Sequence, residues 1–300
     1  FFYYAQSIPK TLQQINNSAT GAQLNSLLIR SYLQINHSIP KASKMERFQG
    51  AISFGNPGVF KDVLKVDVAS LYPSIILTYK VYDELKDPRG HFLKVVEYFT
   101  KERLENKAKA NETGQRHYRD MEQAQKIAIN SFYGLLGATG LHFNSLDNAK
   151  LVTKHGRDIL QKGIDWCKSK NYLVTNADTD SFSYTKGRPV SPDEFKADIM
   201  VINTMYPDGI LWEDDGYYDS MLVLKAKNYV KQYRKNGKIV KEIKGSAFKD
   251  QKKEPALRDM MNRMVEDLLN NDGNNLTGIY NSIVKSVFKI NDIANWAAKK

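Results

Sequence analysis

Three acidic residues stand where acids can do metal chemistry. Within Asp67-Val68-Ala69-Ser70-Leu71-Tyr72-Pro73-Ser74, Asp67 lies at the end of an apolar run, 63–68, that reads as a buried strand, and a helix is predicted to start near Pro73. Proline suits a first helical turn, where its missing N–H would have no partner. A carboxylate beside unpaired backbone N–H groups can hold a cation together with the phosphates it carries. By itself such an acid is more often just the end of a strand. Asp178 and Asp180, in Ala177-Asp178-Thr179-Asp180-Ser181, fall at the tip of a predicted β-hairpin with arms 172–176 and 181–184, where alternation would aim both at one face. Acids in tight turns commonly bond their own backbone. Together with Asp67, however, they supply hard oxygen ligands from separate strands, as phosphoryl transfer with two divalent cations about 3.5–4 Å apart requires.

A second group is basic and aromatic. Spacings of three and four align Lys126, Asn130, Tyr133 and Gly134 on one side of a predicted helix, 117–136. A lysine, an amide, an aromatic ring and a gap could meet phosphate, base and ribose; a plain amphipathic helix thinned by a glycine is the alternative. Arg103 and Lys107 sit four apart on the preceding predicted helix, 92–110, which is broken near Thr113-Gly114. Two helices joined by so short a loop should form an antiparallel hairpin.

The remaining elements frame these groups. Helices are expected at 23–33 and 148–168 and through the last fifty residues, with strands around 222–233 and 238–243 and short strands and turns after Phe48. Basic residues outnumber acidic ones by 11 over the 300 residues. Nine of that excess could arise between Lys225 and Lys253, where eleven Lys or Arg face only Glu242 and Asp250. A polyanion is one partner such a stretch fits, and a solvated lysine surface is the other reading. The single cysteine, Cys167, excludes an internal disulfide framework and fits a reducing cytosol. Cysteine-based zinc binding is excluded too, and the five histidines show no ligand spacing. No apolar run approaches the roughly 20 residues that span a bilayer, and no signal peptide is recognisable. The first residue is Phe1 rather than methionine, so a fragment of a longer protein is expected.

Six elements, in order, resemble those of the family B DNA polymerases. Asp-x-x-Ser-Leu-Tyr-Pro-Ser at Asp67 resembles the first polymerase motif, Lys-x-x-x-Asn-Ser-x-Tyr-Gly at Lys126 the second, and Asp-Thr-Asp-Ser at Asp178 the third. Phe48-Gln49-Gly50-Ala51 resembles the Tyr-x-Gly-Gly/Ala element that touches the template strand, with Phe48 lacking the hydroxyl. Lys225-Ala226-Lys227-Asn228-Tyr229 resembles the Lys-x-Tyr element that grips the primer, and Lys244-Gly245 the start of the thumb. Asn176 departs from the tyrosine usual two residues before Asp178.

The resemblance implies an α+β right-handed polymerase with an antiparallel-sheet palm, helical-hairpin fingers and a helical thumb. Residues 1–47 would lead into the palm at 48–83; fingers would occupy 84–136, the rest of the palm 137–245 and a small thumb 246–300. It further implies that Asp67, the Val68 carbonyl and Asp180 hold two Mg²⁺ ions, replaceable by Mn²⁺, with Asp178 in a lesser catalytic role. Ser70, Leu71, Tyr72, Arg103, Lys107, Lys126, Asn130, Tyr133 and Gly134 would meet the incoming dNTP, Tyr72 lying under its sugar. Phe48, Gly50, Thr179, Lys225, Lys227, Tyr229, Lys244 and Gly245 would meet primer-template DNA. No exonuclease domain is expected in this chain, and a processivity factor or a separate exonuclease-bearing portion is the further partner to expect. The short interval from Asp67 to Lys126 favours nucleic-acid over protein priming. The expected location is cytoplasmic, at a nucleoid or a viral replication site. Two rival classes remain: a DNA-binding scaffold that has lost the chemistry, against which intact Asp67 and Asp180 speak, and a metal-dependent nuclease, which leaves Lys126, Asn130 and Tyr133 without a purpose.

Overall fold

The computed structural model describes residues 5–249, 253–287 and 297. The chain passes back and forth between two compact units. The first comprises Phe1–Ala51, Ala69–Ile159 and Tyr206–Leu211; the second comprises Ile52–Val68, Leu160–Met205 and Trp212–Lys300.

The first unit is helical. Its helices are α1 (Leu12–Asn16), α2 (Thr20–Gln34), α3 (Leu71–Thr78), α4 (His91–Thr113), α5 (Arg116–Leu136) and the first part of α6 (Leu146–Ser169). The predicted hairpin is α4 with α5: Asn106 Nδ2 donates to Gln125 Oε1 at 3.1 Å, and nearer the other end the Phe92 ring meets the edge of Phe132 at 5.2 Å. Gly114 ends α4 in the left-handed region, φ 67°, which a glycine enters without a Cβ clash. The start of α4 is held by Asp87, whose carboxylate accepts from the amides of His91 at 2.9 Å and Phe92 at 2.7 Å. That satisfies two of the amides a helix start leaves open. Tyr32 of α2 donates its hydroxyl to the same carboxylate, fixing α2 to the base of the hairpin. On α5 the buried residues Ala124, Ala128, Ile129, Phe132, Leu135 and Leu136 form one stripe, and Lys126, Asn130 and Gly134 fall on the exposed side.

The second unit is built on a seven-stranded antiparallel sheet. Its strands are β1 (Ser53–Gly55), β2 (Gly58–Val68), β3 (Leu173–Asp178), β4 (Ser181–Thr185), β5 (Trp212–Lys225), β6 (Asn228–Lys235) and β7 (Lys238–Lys244), in the order β1-β3-β4-β2-β5-β6-β7. Helices α7 (Pro192–Asn203), α8 (Ser246–Lys249), α9 (Pro255–Asn271) and α10 (Leu276–Val287) complete it. Alternation sorts the core onto two faces: Val63, Met221, Val223 and Tyr229 cluster on one, while Leu222 and Val230 pack Leu269 of α9 on the other.

The mixed helix-and-strand class with an antiparallel sheet is as expected, and α4, α5 and α6 begin and end within three residues of their predicted bounds. Three expectations change. The strand predicted around 222–233 is two strands: β5 starts at Trp212, and the chain turns at Lys227, φ 60°, before β6. Glu213, Asp214 and Asp215 interrupt the apolar alternation there and hid the first half of β5. Helix α7 went unread, although Ser191 caps it through the Glu194 amide at 3.2 Å and Pro192 opens it. Asp180 stands in the two-residue turn between β3 and β4 rather than on a strand, so pleat alternation does not set its direction. Of the predicted thumb, 250–252, 288–296 and 298–300, including Asp250, lie outside the described residues. No described helix is long and apolar enough to cross a membrane.

Candidate active site

The acids of the second unit converge because central strand β2 is paired on both sides. Asp67 faces Ser181 of β4 and Glu213 of β5 in register, and the next amide, Val68 N, donates to the Asp180 carbonyl at 2.8 Å. Burial, and then the nearby Asp180 charge, push the Asp67 carboxyl up to about 7. Burial also raises Asp180. Asp67 Oδ1 is buried and has no hydrogen-bond donor among the described residues. A desolvated carboxylate oxygen with no donor, beside a second desolvated carboxylate, is costly unless something positive meets it. These hard oxygens fit Mg²⁺. Among the described residues no group of three or more His, Cys, Asp or Glu side chains forms a metal cage, so a cation here would rely on this pair, a backbone carbonyl and its own other ligands.

Asp178 has a different environment. Lys244 Nζ reaches its carboxylate at 3.0 Å and Lys227 Nζ at 3.3 Å. Burial pushes Asp178 up, but the Lys244 hydrogen bond and the two lysine charges outweigh it and hold the group below the ordinary aspartate value. Thr179, φ 62°, forms the turn beside it and donates its amide to Ile52 O at 2.9 Å. Gly245 follows Lys244 at φ +100°; a Cβ there would lie 2.3 Å from Lys227 O and 2.4 Å from Asn228 Oδ1. Only glycine lets β7 close this tightly on the β5–β6 turn that carries Lys227. Lys244 also lies over the buried Tyr229 ring, 5.7 Å from its centroid, and Lys225 is exposed at the end of β5.

In the first unit, Ser70 precedes α3 in the left-handed region, φ 52°, and its hydroxyl accepts from the Arg103 guanidinium of α4. Arg103 Nε also donates to Glu122 of α5 at 2.8 Å, with both side chains largely buried. Tyr72 and Tyr133 pack ring on ring, centroids 4.3 Å apart and tilted by 35°. Gly156 of α6 leaves room for this: a Cβ there would touch Tyr72 at 3.5 Å. Burial raises the Tyr133 hydroxyl, partly offset by the Arg157 charge. Arg157 also donates to the carbonyls of Gln49 at 3.1 Å and Gly50 at 2.8 Å, fixing the segment that follows half-buried Phe48. Leu71 is buried in the core, and Lys107 is exposed.

The predicted residues thus fall into local groups: Asp67 with Asp180; Asp178 with Lys227 and Lys244; Ser70 with Arg103; and Tyr72 with Tyr133. Sequence reasoning missed Glu122, Arg157, Lys65 and Asp215. The first two answer residues far away in sequence, so no local spacing marks them. Lys65 carried one signal, a charge inside an apolar strand.

The family model described as DNA polymerase family B matches residues 89–295. The chain is 35% identical over 206 residues to the DNA polymerase alpha catalytic subunit of Arabidopsis thaliana, covering 61% of this chain and 13% of that protein. It is 27% identical over 210 residues to DNA polymerase 2 of Aeropyrum pernix, covering 59% and 26%. Its fold is similar to the family B DNA polymerase of Pyrobaculum calidifontis, with a TM-score of 0.67 and 22% identity over 96% of this chain and 40% of that one. The chain therefore spans no more than about a quarter of the length of these two curated relatives.

Proposed function

Because the chain belongs to DNA polymerase family B, we propose that it carries the catalytic portion of a template-directed DNA polymerase, adding deoxynucleoside monophosphates from dNTPs to a primer 3′-OH. The observation that carries this reading is the buried Asp67 Oδ1, without a hydrogen-bond donor among the described residues, beside Asp180. Asp67, Asp180 and the Val68 carbonyl would hold Mg²⁺, with Mn²⁺ as a substitute. Two such ions would lower the pKa of the attacking hydroxyl and neutralise the triphosphate and leaving pyrophosphate. Arg103, anchored by Glu122 and joined to Ser70, would orient the triphosphate with Lys107, Lys126 and Asn130. Positioning and charge are most of what a protein contributes to this reaction. Tyr72, backed by Tyr133 and Gly156, would lie under the sugar and collide with a 2′ hydroxyl. Lys227 and Lys244 would follow primer-template phosphates, their charges shared with Asp178.

Labelled primer-template incubated with Mg²⁺ and dNTPs tests the reading. Template-directed lengthening supports it. Shortening would make the protein a nuclease, and binding without either change would make it a scaffold.

A further inference from the structure

Lys65 is a lysine in the middle of a buried strand, 8% exposed, two residues before Asp67. The β2–β4 register runs unbroken from Val63 to Asp67, so pleating puts Lys65 and Asp67 on the same face. Its partner is supplied by an irregularity on the other side. Lys65 pairs with Gly216 and Val66 with Asp214, leaving Asp215 as the extra residue of a β-bulge in β5. A bulge re-aims a side chain, and here the Asp215 carboxylate accepts from Lys65 Nζ.

The bulge is held from several directions. Gly216 sits at φ +120°, where an added Cβ would come 3.0 Å from the Tyr218 hydroxyl. Its amide donates to Asp214 Oδ1 at 2.7 Å, and Tyr218 donates its hydroxyl to the Asp215 carbonyl at 2.8 Å. Lys231 donates to that hydroxyl at 2.7 Å and pairs with Glu242 at 2.9 Å. Lys65 therefore has little freedom, and its charge is felt by Asp67 and Asp180 alike. Asp215 and Glu213 act on Asp67 in the opposite sense.

We propose that Lys65 is a positioning residue whose fixed positive charge, tethered by bulged Asp215, limits how tightly the Asp67–Asp180 pair binds a divalent cation. The inference rests on the reading of that pair as a cation site. A resident ammonium keeps two buried carboxylates compatible with folding when no ion is bound, and it repels the ion that arrives. Removing it strengthens cation binding; removing Asp215 subtracts a negative charge and releases the ammonium toward the acids, which weakens it.

Direct Mn²⁺ binding to the whole chain, read from the electron-paramagnetic signal of free Mn²⁺ without DNA or nucleotide, tests this. Asp67→Asn should abolish the site; if it does not, the cation reading fails, whatever Lys65 does. With the site so established, Lys65→Met should bind Mn²⁺ at least about tenfold more tightly, the order that one unit charge roughly 6 Å from a divalent ion contributes even at the bulk-water dielectric of about 80. Asp215→Asn should bind it more weakly, by at least about threefold on the same grounds. Lys235→Met, which removes an exposed lysine from the end of β6, should change little. Affinity within about twofold of the parent in folded Lys65→Met, or equal tightening in Lys235→Met, overturns the proposal. Should Lys65→Met not fold, unchanged affinity in Asp215→Asn overturns it instead.

Discussion

The Val68 amide donates to the Asp180 carbonyl at 2.8 Å, so the strand that carries Asp67 and the turn that carries Asp180 are hydrogen-bonded where their acids emerge. Asp178, two residues from Asp180, turns instead to Lys244 and Lys227. Asp67→Asn or Asp180→Asn should therefore lower kcat for primer extension by at least about a thousandfold while leaving duplex binding nearly intact. Asp178→Asn should do markedly less. Single-turnover extension and DNA binding measured on the same three proteins check this, and equal small effects at all three would remove the proposed metal role.

Tyr72 rests against Tyr133 across 4.3 Å, so the proposed sugar gate has a wall behind it. Tyr72→Ala should raise ribonucleotide use relative to deoxynucleotide by more than about tenfold, or some 1.4 kcal/mol of differential barrier. Tyr133→Ala should shift the ratio in the same direction by less, and Tyr133→Phe should leave it alone, because the contact is between rings. The ratio of kcat/KM for the two sugars decides. A Tyr72 that merely packs the core would slow both substrates equally.

Lys126 is exposed on α5 and Lys227 is half of the clamp on Asp178. Lys126→Ala should raise KM for the incoming nucleotide with little change in DNA affinity. Lys227→Ala should weaken primer-template retention and reduce the salt dependence of binding, by a slope of about 0.9 for each phosphate no longer neutralised. Titrations at several salt concentrations, alongside nucleotide kinetics, separate the two.

Gly245→Ala should destabilise the second unit by at least about 2 kcal/mol, because it combines a left-handed backbone with a backbone clash. The shift in chemical-denaturation midpoint measures this. An unchanged midpoint would mean that the β7 end relaxes freely away from Lys227.

The local patterns were easier to read than the pairings around them. Asp67 at a strand end, the Asp178–Asp180 tip and the Lys126 helix face are local patterns, and a strand or helix of ordinary period displays them in a few consecutive residues. Helix α7 left a local trace too, in Ser191 and Pro192. What stayed hidden depends on pairing between distant segments. Nothing near Arg103 announces Glu122, nothing near Asp178 announces Lys244, and the acids that open β5 read as a loop until β2 is laid beside them. The different surroundings of Asp178 and Asp180, two residues apart, follow from those pairings and from a turn that ends the strand between them.

The central place of β2 bears on how the protein is made. Its neighbours come late in the chain: Thr185 of β4 bonds back to Lys61 across 124 positions, and Asp215 of β5 answers Lys65 across 150. At roughly 5–20 residues per second of synthesis, β2 leaves the ribosome about six seconds or more before either partner strand is complete. Through that interval its apolar residues and both hydrogen-bonding edges are open to other chains, so sheet formation is a late, high-contact-order event. Slowing translation between Val68 and Trp212 should lengthen this exposure and lower the soluble yield, whereas co-expressed chaperones that shield extended apolar segments should restore it.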